Sequence, residues 1–115
     1  MRDDKENIIV KLTFDFALEI IEFSEELEEK RKYVLARQIL KAGTSIGANV
    51  REAQNAESKA DFIHKMKISA KEADELEYFL LLCKHSKGYP FNQNLLDNLL
   101  VIMKILSKII SSSKA

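Results

Sequence analysis

The chain has little that would interrupt a helix. It has three glycines and one proline in 115 residues, so breakpoints are few. A single cysteine, Cys83, excludes an internal disulfide and a cysteine-built metal site. No apolar run approaches 18 residues, so no membrane-spanning helix is expected. The opening Met1-Arg2-Asp3-Asp4-Lys5-Glu6-Asn7 is charged and lacks the apolar centre of a signal peptide, which makes a cytoplasmic protein the expectation. Net charge is absent too. Eighteen Lys and Arg offset 18 Asp and Glu, which argues against nucleic acid held by bulk charge but leaves room for a local basic face. There is no Ser/His/Asp order, phosphate loop or glycine fingerprint, so no enzymatic activity and no cofactor are expected.

What the chain does have is apolar residues, 46% of the total, recurring at helical spacing over a length that suits one domain, 1–115. The first helix is expected over 8–29. Ile9, Leu12, Phe16, Ile20, Phe23 and Leu27 form one stripe, and Val10, Phe14, Ala17 and Ile21 form a second. Together they cover close to 200° of the helix, against about 100° for an ordinary surface helix. The charge run from Glu25 to Lys32 reads as a solvated helix end and loop.

The second helix is expected over 34–55. At 100° per residue, Leu35, Ile39, Ala42, Ile46, Val50 and Ala53 share a buried stripe. Gly43 and Gly47 stack on one flank of it. Two interior glycines cost roughly 1 kcal/mol each against alanine, so another backbone is expected to come close there. Charged residues interrupt the segment, which excludes a membrane Gly-x-x-x-Gly dimer. On the other flank stand Ser45, Asn49 and Glu52. They read either as a recognition or catalytic row, or as a polar clamp with Glu72 and Glu75 that fixes helix register. The clamp is the favoured reading.

Ser58 with Asp61 reads as a capping box opening a third helix over 59–86, with Phe62, Met66, Ser69, Ala73, Leu76 and Leu80 inward. Gly88 and Pro90 stop it. Asn92 or Asn94 caps a fourth over 93–111, with Leu95, Leu99, Ile102, Leu106 and Ile109 inward and the serine tail frayed. Leu96, Leu100, Met103 and Ile110 form its second stripe, again a wide apolar face. Four helices joined by short breaks make an all-α, antiparallel, up-down-up-down four-helix bundle. The surplus apolar width on the first and fourth helices predicts a homo-oligomer, with Val10, Phe14, Ile21, Leu96, Leu100, Met103 and Ile110 in the contact.

The remaining chemistry is sparse. His64 reads as a solvated histidine, Cys83 as a packed thiol, and Asp61-x-x-His64 as too little for a dimetal bundle site. Arg37, Lys41, Arg51, Lys59, Lys65, Lys67 and Lys71 give the second and third helices a basic side. It is either an ordinary solvated surface or a contact for phosphates, making nucleic acid the alternative partner.

The string from Gly43 to Ala53, GTSIGANVREA, followed by Ser58-Lys59-Ala60-Asp61-Phe62 and the run from Glu72 to Glu77, resembles the bacterial 23S rRNA intervening-sequence proteins. The resemblance covers nearly the whole chain. It implies a left-handed antiparallel bundle and, by analogy, a ring-like pentamer. Some relatives serve diversity-generating retroelements, are strongly basic and bind nucleic acid; this chain has no net positive charge. Ser45, Asn49, Glu52 and Glu75 match the family pattern, and the match assigns them no role.

Overall fold

The computed structural model describes residues 7–114. The charged opening, residues 1–6, and Ala115 at the end of the serine tail lie outside them. Within that range there are four helices, α1 (Ile8–Glu29), α2 (Tyr33–Ala53), α3 (Lys59–His85) and α4 (Gln93–Lys114), and no strand. The molecule measures 45 × 22 × 21 Å. Its long axis is set by α3, whose 27 residues span about 40 Å at 1.5 Å per residue.

Neighbours in sequence are neighbours in space, and α4 closes back on α1. The diagonal pairs, α1 with α3 and α2 with α4, make no close backbone approach. One apolar core fills the middle, with Phe16, Ile20 and Leu27 of α1, Ile39 and Ile46 of α2, Met66, Leu76 and Leu80 of α3, and Leu95, Leu99 and Ile102 of α4 all buried. These are the residues whose spacing at three and four marks the inward stripe of each helix.

The ends of the helices follow from local chemistry. Arg31 adopts a left-handed conformation at φ 62°, with Lys32 N–H donating to Leu27 O at 2.8 Å and Arg31 N–H to Glu28 O at 2.9 Å. This is the paired closure that satisfies the last carbonyls of a helix, here made without glycine. α2 stops at Ala53, two residues before the expected end, because Gln54 and Asn55 donate to carbonyls three residues back and tighten into a turn. Ser58 Oγ accepts from Asp61 N–H at 3.0 Å and caps α3. Gly88, at φ 76°, turns the chain after α3, and Asn92 Oδ1 accepts from Leu95 N–H at 3.1 Å to start α4. α4 runs past the expected end at Ser111 to Lys114, where Ser113 Oγ donates back to Ile109 O at 2.7 Å.

The glycines of α2 meet α1. A Cβ at Gly43 would lie 2.6 Å from Ile20 Cγ2 and 2.7 Å from Cγ1. Ile20 is fully buried and branched at Cβ, so it has no room to turn away. At Gly47 a Cβ would lie 3.2 Å from the backbone oxygen of Thr13. Gly43 thus admits a side chain and Gly47 a backbone. Buried polar atoms are satisfied within this packing. Thr13 Oγ1 donates to Ile9 O at 2.8 Å, and Ser69 Oγ crosses from α3 to Ile46 O of α2 at 2.8 Å. No buried side-chain nitrogen or oxygen among the described residues lacks a partner.

Gly43→Ala is expected to lower stability by about 1–3 kcal/mol through overpacking against Ile20. Gly47→Ala is expected to stay within about 1 kcal/mol of the parent, because better helix propensity offsets the tighter contact. Urea denaturation of the two variants separates them. A Gly43→Ala variant as stable as the parent would mean that Ile20 yields.

Candidate assembly surface

Three large apolar side chains project from α1 at helical spacing: Phe14 at 54% exposed, Leu18 at 49% and Ile21 at 40%. Leu40 of α2 is also exposed, and Tyr33 and Val34 stand in its first turn. Between α1 and α2 runs a groove of about 190 Å³, lined by Phe14 and Ala17 on one side and Thr44, Gly47, Ala48 and Arg51 on the other. Thr44 Oγ1 donates to Leu40 O at 2.7 Å, within its own helix. With the Thr13 hydroxyl held in the same manner, the groove is lined by apolar surface, the Phe14 ring included, and by Arg51. Gly47 has no side chain to fill it.

The seven expected contact residues divide. Phe14, Ile21 and Leu100 are exposed. Met103 and Ile110 are half-buried and line a second hollow between α3 and α4, together with Ala70, Asp74 and Lys114. Val10 and Leu96 are buried by the chain itself, at 8% and 5% exposure, which corrects their assignment to an outer contact. The reason is neighbour coverage: Val10 sits at the seam with α2, and Leu96 packs in the first turn of α4 against the core. Leu18 and Leu40 are exposed and were missed, because neither falls on the stripes used to define the faces. Leu18 follows Phe14 at four residues and precedes Ile21 at three, which was the available signal.

The five polar residues do not form one clamp. Asn49 Nδ2 donates to Ser45 O at 2.8 Å, within α2. Glu52 is exposed and lies 3.7 Å from Lys65, which also lies 3.9 Å from Asp61. Glu72 is half-buried and Glu75 exposed, and neither is bonded to Ser45, Asn49 or Glu52. The physical reason is rotation: Asn49 reaches its own backbone more easily than α3, and Lys65 intercepts Glu52. The cross-links that tie α2 to its neighbours are Ser69 to Ile46 and Asn7 Nδ2 to Gln54 Oε1 at 2.8 Å.

The basic residues are scattered over two helices. Arg37, Lys41, Arg51, Lys67 and Lys71 are exposed and make no ion pair, Lys59 is exposed at the start of α3, and Lys65 is taken up by Glu52 and Asp61. His64 and His85 are exposed. Among the described residues, no three His, Cys, Asp or Glu side chains converge to hold a metal, and no helix is long and apolar enough to cross a membrane.

The family model described as 23S rRNA-intervening sequence protein matches residues 5–112. The chain belongs to that family. A member of the S23 ribosomal protein family from Bacteroides thetaiotaomicron, solved as a crystal structure and described as of unknown function, is 39% identical to it. The match covers 93% of this chain and 98% of that one, with a TM-score of 0.86. No curated protein matches. In this member of the 23S rRNA-intervening sequence family, the SIGANVRE segment that carries the resemblance is therefore the segment that meets α1 at Gly47 and accepts Ser69 of α3 at the Ile46 carbonyl.

Burial explains the remaining nucleophile. Cys83 is almost fully enclosed in the core, and desolvation raises its thiol from 9.0 to about 11. The native state therefore holds the thiol proton more tightly than the unfolded state. That contribution to stability is intact below pH 9.0 and is lost as pH rises towards about 11. The stability difference between the parent and Cys83→Ala should accordingly shrink across that window. A difference that is flat with pH would show the thiol ionising equally in both states.

Proposed function

We propose that this protein is a non-enzymatic, homo-oligomeric helical scaffold or adaptor of the cytoplasm, built from an antiparallel, left-handed, up-down-up-down bundle. Five copies is the number the family resemblance suggests. The antiparallel reading draws on paired contacts whose numbers rise on one helix as they fall on the next. Asn7 meets Gln54, Thr13 meets Gly47 and Ile20 meets Gly43; Ile46 meets Ser69 and Glu52 meets Lys65.

The observation that carries the oligomer is the row Phe14, Leu18 and Ile21, three large apolar side chains left open to water on one helix face. Burying such a side chain is worth about 1.5–3 kcal/mol, so covering the row rewards association. Contiguous apolar patches on an otherwise charged surface mark contact sites. Ultracentrifugation is expected to show a species several times the 13.2 kDa chain. Phe14→Glu with Leu18→Glu should give a monomer of unchanged helicity by circular dichroism. A parent that sediments at 13.2 kDa at micromolar concentration would refute the scaffold reading.

A second reading, a nucleic-acid-binding accessory protein, has one observation in its favour: Arg37, Lys41, Arg51, Lys67 and Lys71 are exposed with no carboxylate engaged. Repeated through an oligomer, weak phosphate contacts add up by effective concentration. Titration of RNA and duplex DNA against salt tests it. Six engaged phosphates would reduce affinity by about three orders of magnitude between roughly 50 and 200 mM salt. Weak binding that barely changes with salt would count against it.

A further inference from the structure

The groove between α1 and α2 differs from two other hollows of the surface in the charge it carries. The hollow between α3 and α4 is lined by Asp74 and Lys114, one of each sign. A third, between α1 and α4, is lined by Asp15 and Glu19, and both are engaged: Asp15 with Lys11 at 2.8 Å, Glu19 with Asn98 at 3.3 Å. The α1–α2 groove has a single charged residue, Arg51. Arg51 is exposed, and no carboxylate among the described residues pairs with it. Its neighbour in sequence, Glu52, lies 3.7 Å from Lys65 of α3 instead.

The rest of the groove offers no side-chain donor. Thr13 Oγ1 donates to Ile9 O at 2.8 Å and Thr44 Oγ1 to Leu40 O at 2.7 Å, so both hydroxyl protons are already used. Phe14, Ala17 and Ala48 are apolar, and Gly47 brings no side chain. The hollow is therefore a slot of hydrocarbon with one unpartnered guanidinium, the combination of apolar lining and a single polar group that orients a small ligand.

We infer that this groove binds a small apolar monocarboxylate, its hydrocarbon against Phe14, Ala17 and Ala48 and its carboxylate on Arg51. Charge complementarity fixes the sign, and the fork of a guanidinium matches one carboxylate with two parallel hydrogen bonds. A phosphate monoester carries nearly two charges and would find only this one cation. A polar acid would lose its water against the apolar walls without gaining partners. Size limits the length. The groove, about 190 Å³, is smaller than the roughly 300–1,000 Å³ of sites for drug-sized ligands, which leaves room for one short chain or a single ring. Val10 to Ala17 on α1, and Thr44 to Arg51 on α2, each span about 10 Å at 1.5 Å per residue, a length that an eight-carbon chain matches. The site shares Phe14 with the exposed apolar row but uses neither Leu18 nor Ile21, and it does not rest on self-association.

The test is calorimetric titration with octanoate, octanol and octylammonium, three probes of one chain length and different charge, with circular dichroism as the check on folding. Octanoate should bind the parent about three- to tenfold more tightly than either of the others. Arg51→Glu should reverse that order and favour octylammonium. Ala48→Leu, an exposed position on a helix, should keep its helicity and weaken octanoate about tenfold or more by filling the slot. A parent that binds no octanoate, or binds the three probes equally, would overturn the site. So would folded Arg51→Glu and Ala48→Leu variants that take octanoate as the parent does, since the probe would then sit elsewhere.

Discussion

The contact between Ile20 and the missing side chain of Gly43 governs the rest of this structure. Ile20 occupies the volume that any other residue at position 43 would need. Seven residues back along α1 and four forward along α2, the Thr13 backbone comes close to Gly47, less tightly. Two points of close approach, separated along the axis, fix both the register and the rotation of α1 against α2. Because each helix is rigid over its length, fixing its rotation at two points determines which residues face outward along all of it. The exposure of Phe14, Leu18 and Ile21 is thus set by what Ile20 and Thr13 are doing on the inner side.

α3 is tied to that pair by a different kind of contact. Ser69 donates to a carbonyl that already belongs to the α2 ladder, so no polar atom is stranded in the core. Lys65 spans Glu52 and Asp61 at the surface, where such pairs contribute little to stability. The order of importance is apolar packing first, one buried hydrogen bond second, surface ion pairs last. That ordering also explains why the polar row on α2 is not a clamp: the core holds the register without it.

How much of this was legible in the residues can be judged from particular elements. α1 was legible to the residue, since its apolar stripe persists from Ile9 to Leu27 and ends in a charge run. Ser58 was legible as a cap, and the cap of α4 was narrowed to Asn92 or Asn94, because such side chains act on backbone only three residues away; the structure selects Asn92. The close approach at Gly43 could be expected from its helix-propensity cost, but not that an isoleucine side chain would occupy it. The fate of Ser45, Asn49, Glu52, Glu72 and Glu75 was not legible, because a polar group on the border of a stripe chooses between its own backbone and a neighbour by a few degrees of rotation. Val10 and Leu96 show the same limit for apolar residues. A helical wheel measures how much of a helix is apolar, not how far the neighbouring helices reach over it. Phe14 and Ile21 of α1 were legible as outward residues from their spacing, whereas the exposed apolar residues of α2 required three-dimensional placement, and the family match adds a fold without a chemistry.

The separation of sign between α1 and α2 has a consequence for handling the protein in solution. A neutral particle with charge spread evenly has little electrostatic attraction for its copies, but this chain sets seven carboxylates against one lysine on α1 and three cations against one carboxylate on α2. Dipoles cohere most when few ions are present, and cohesion is greatest near the isoelectric point, about pH 6.7 for this sequence. Added salt, with a screening length of about 10 Å at roughly 0.1 M, weakens that cohesion before it weakens any apolar contact. The protein should therefore salt in: it precipitates on dialysis into water near neutral pH and redissolves at moderate ionic strength.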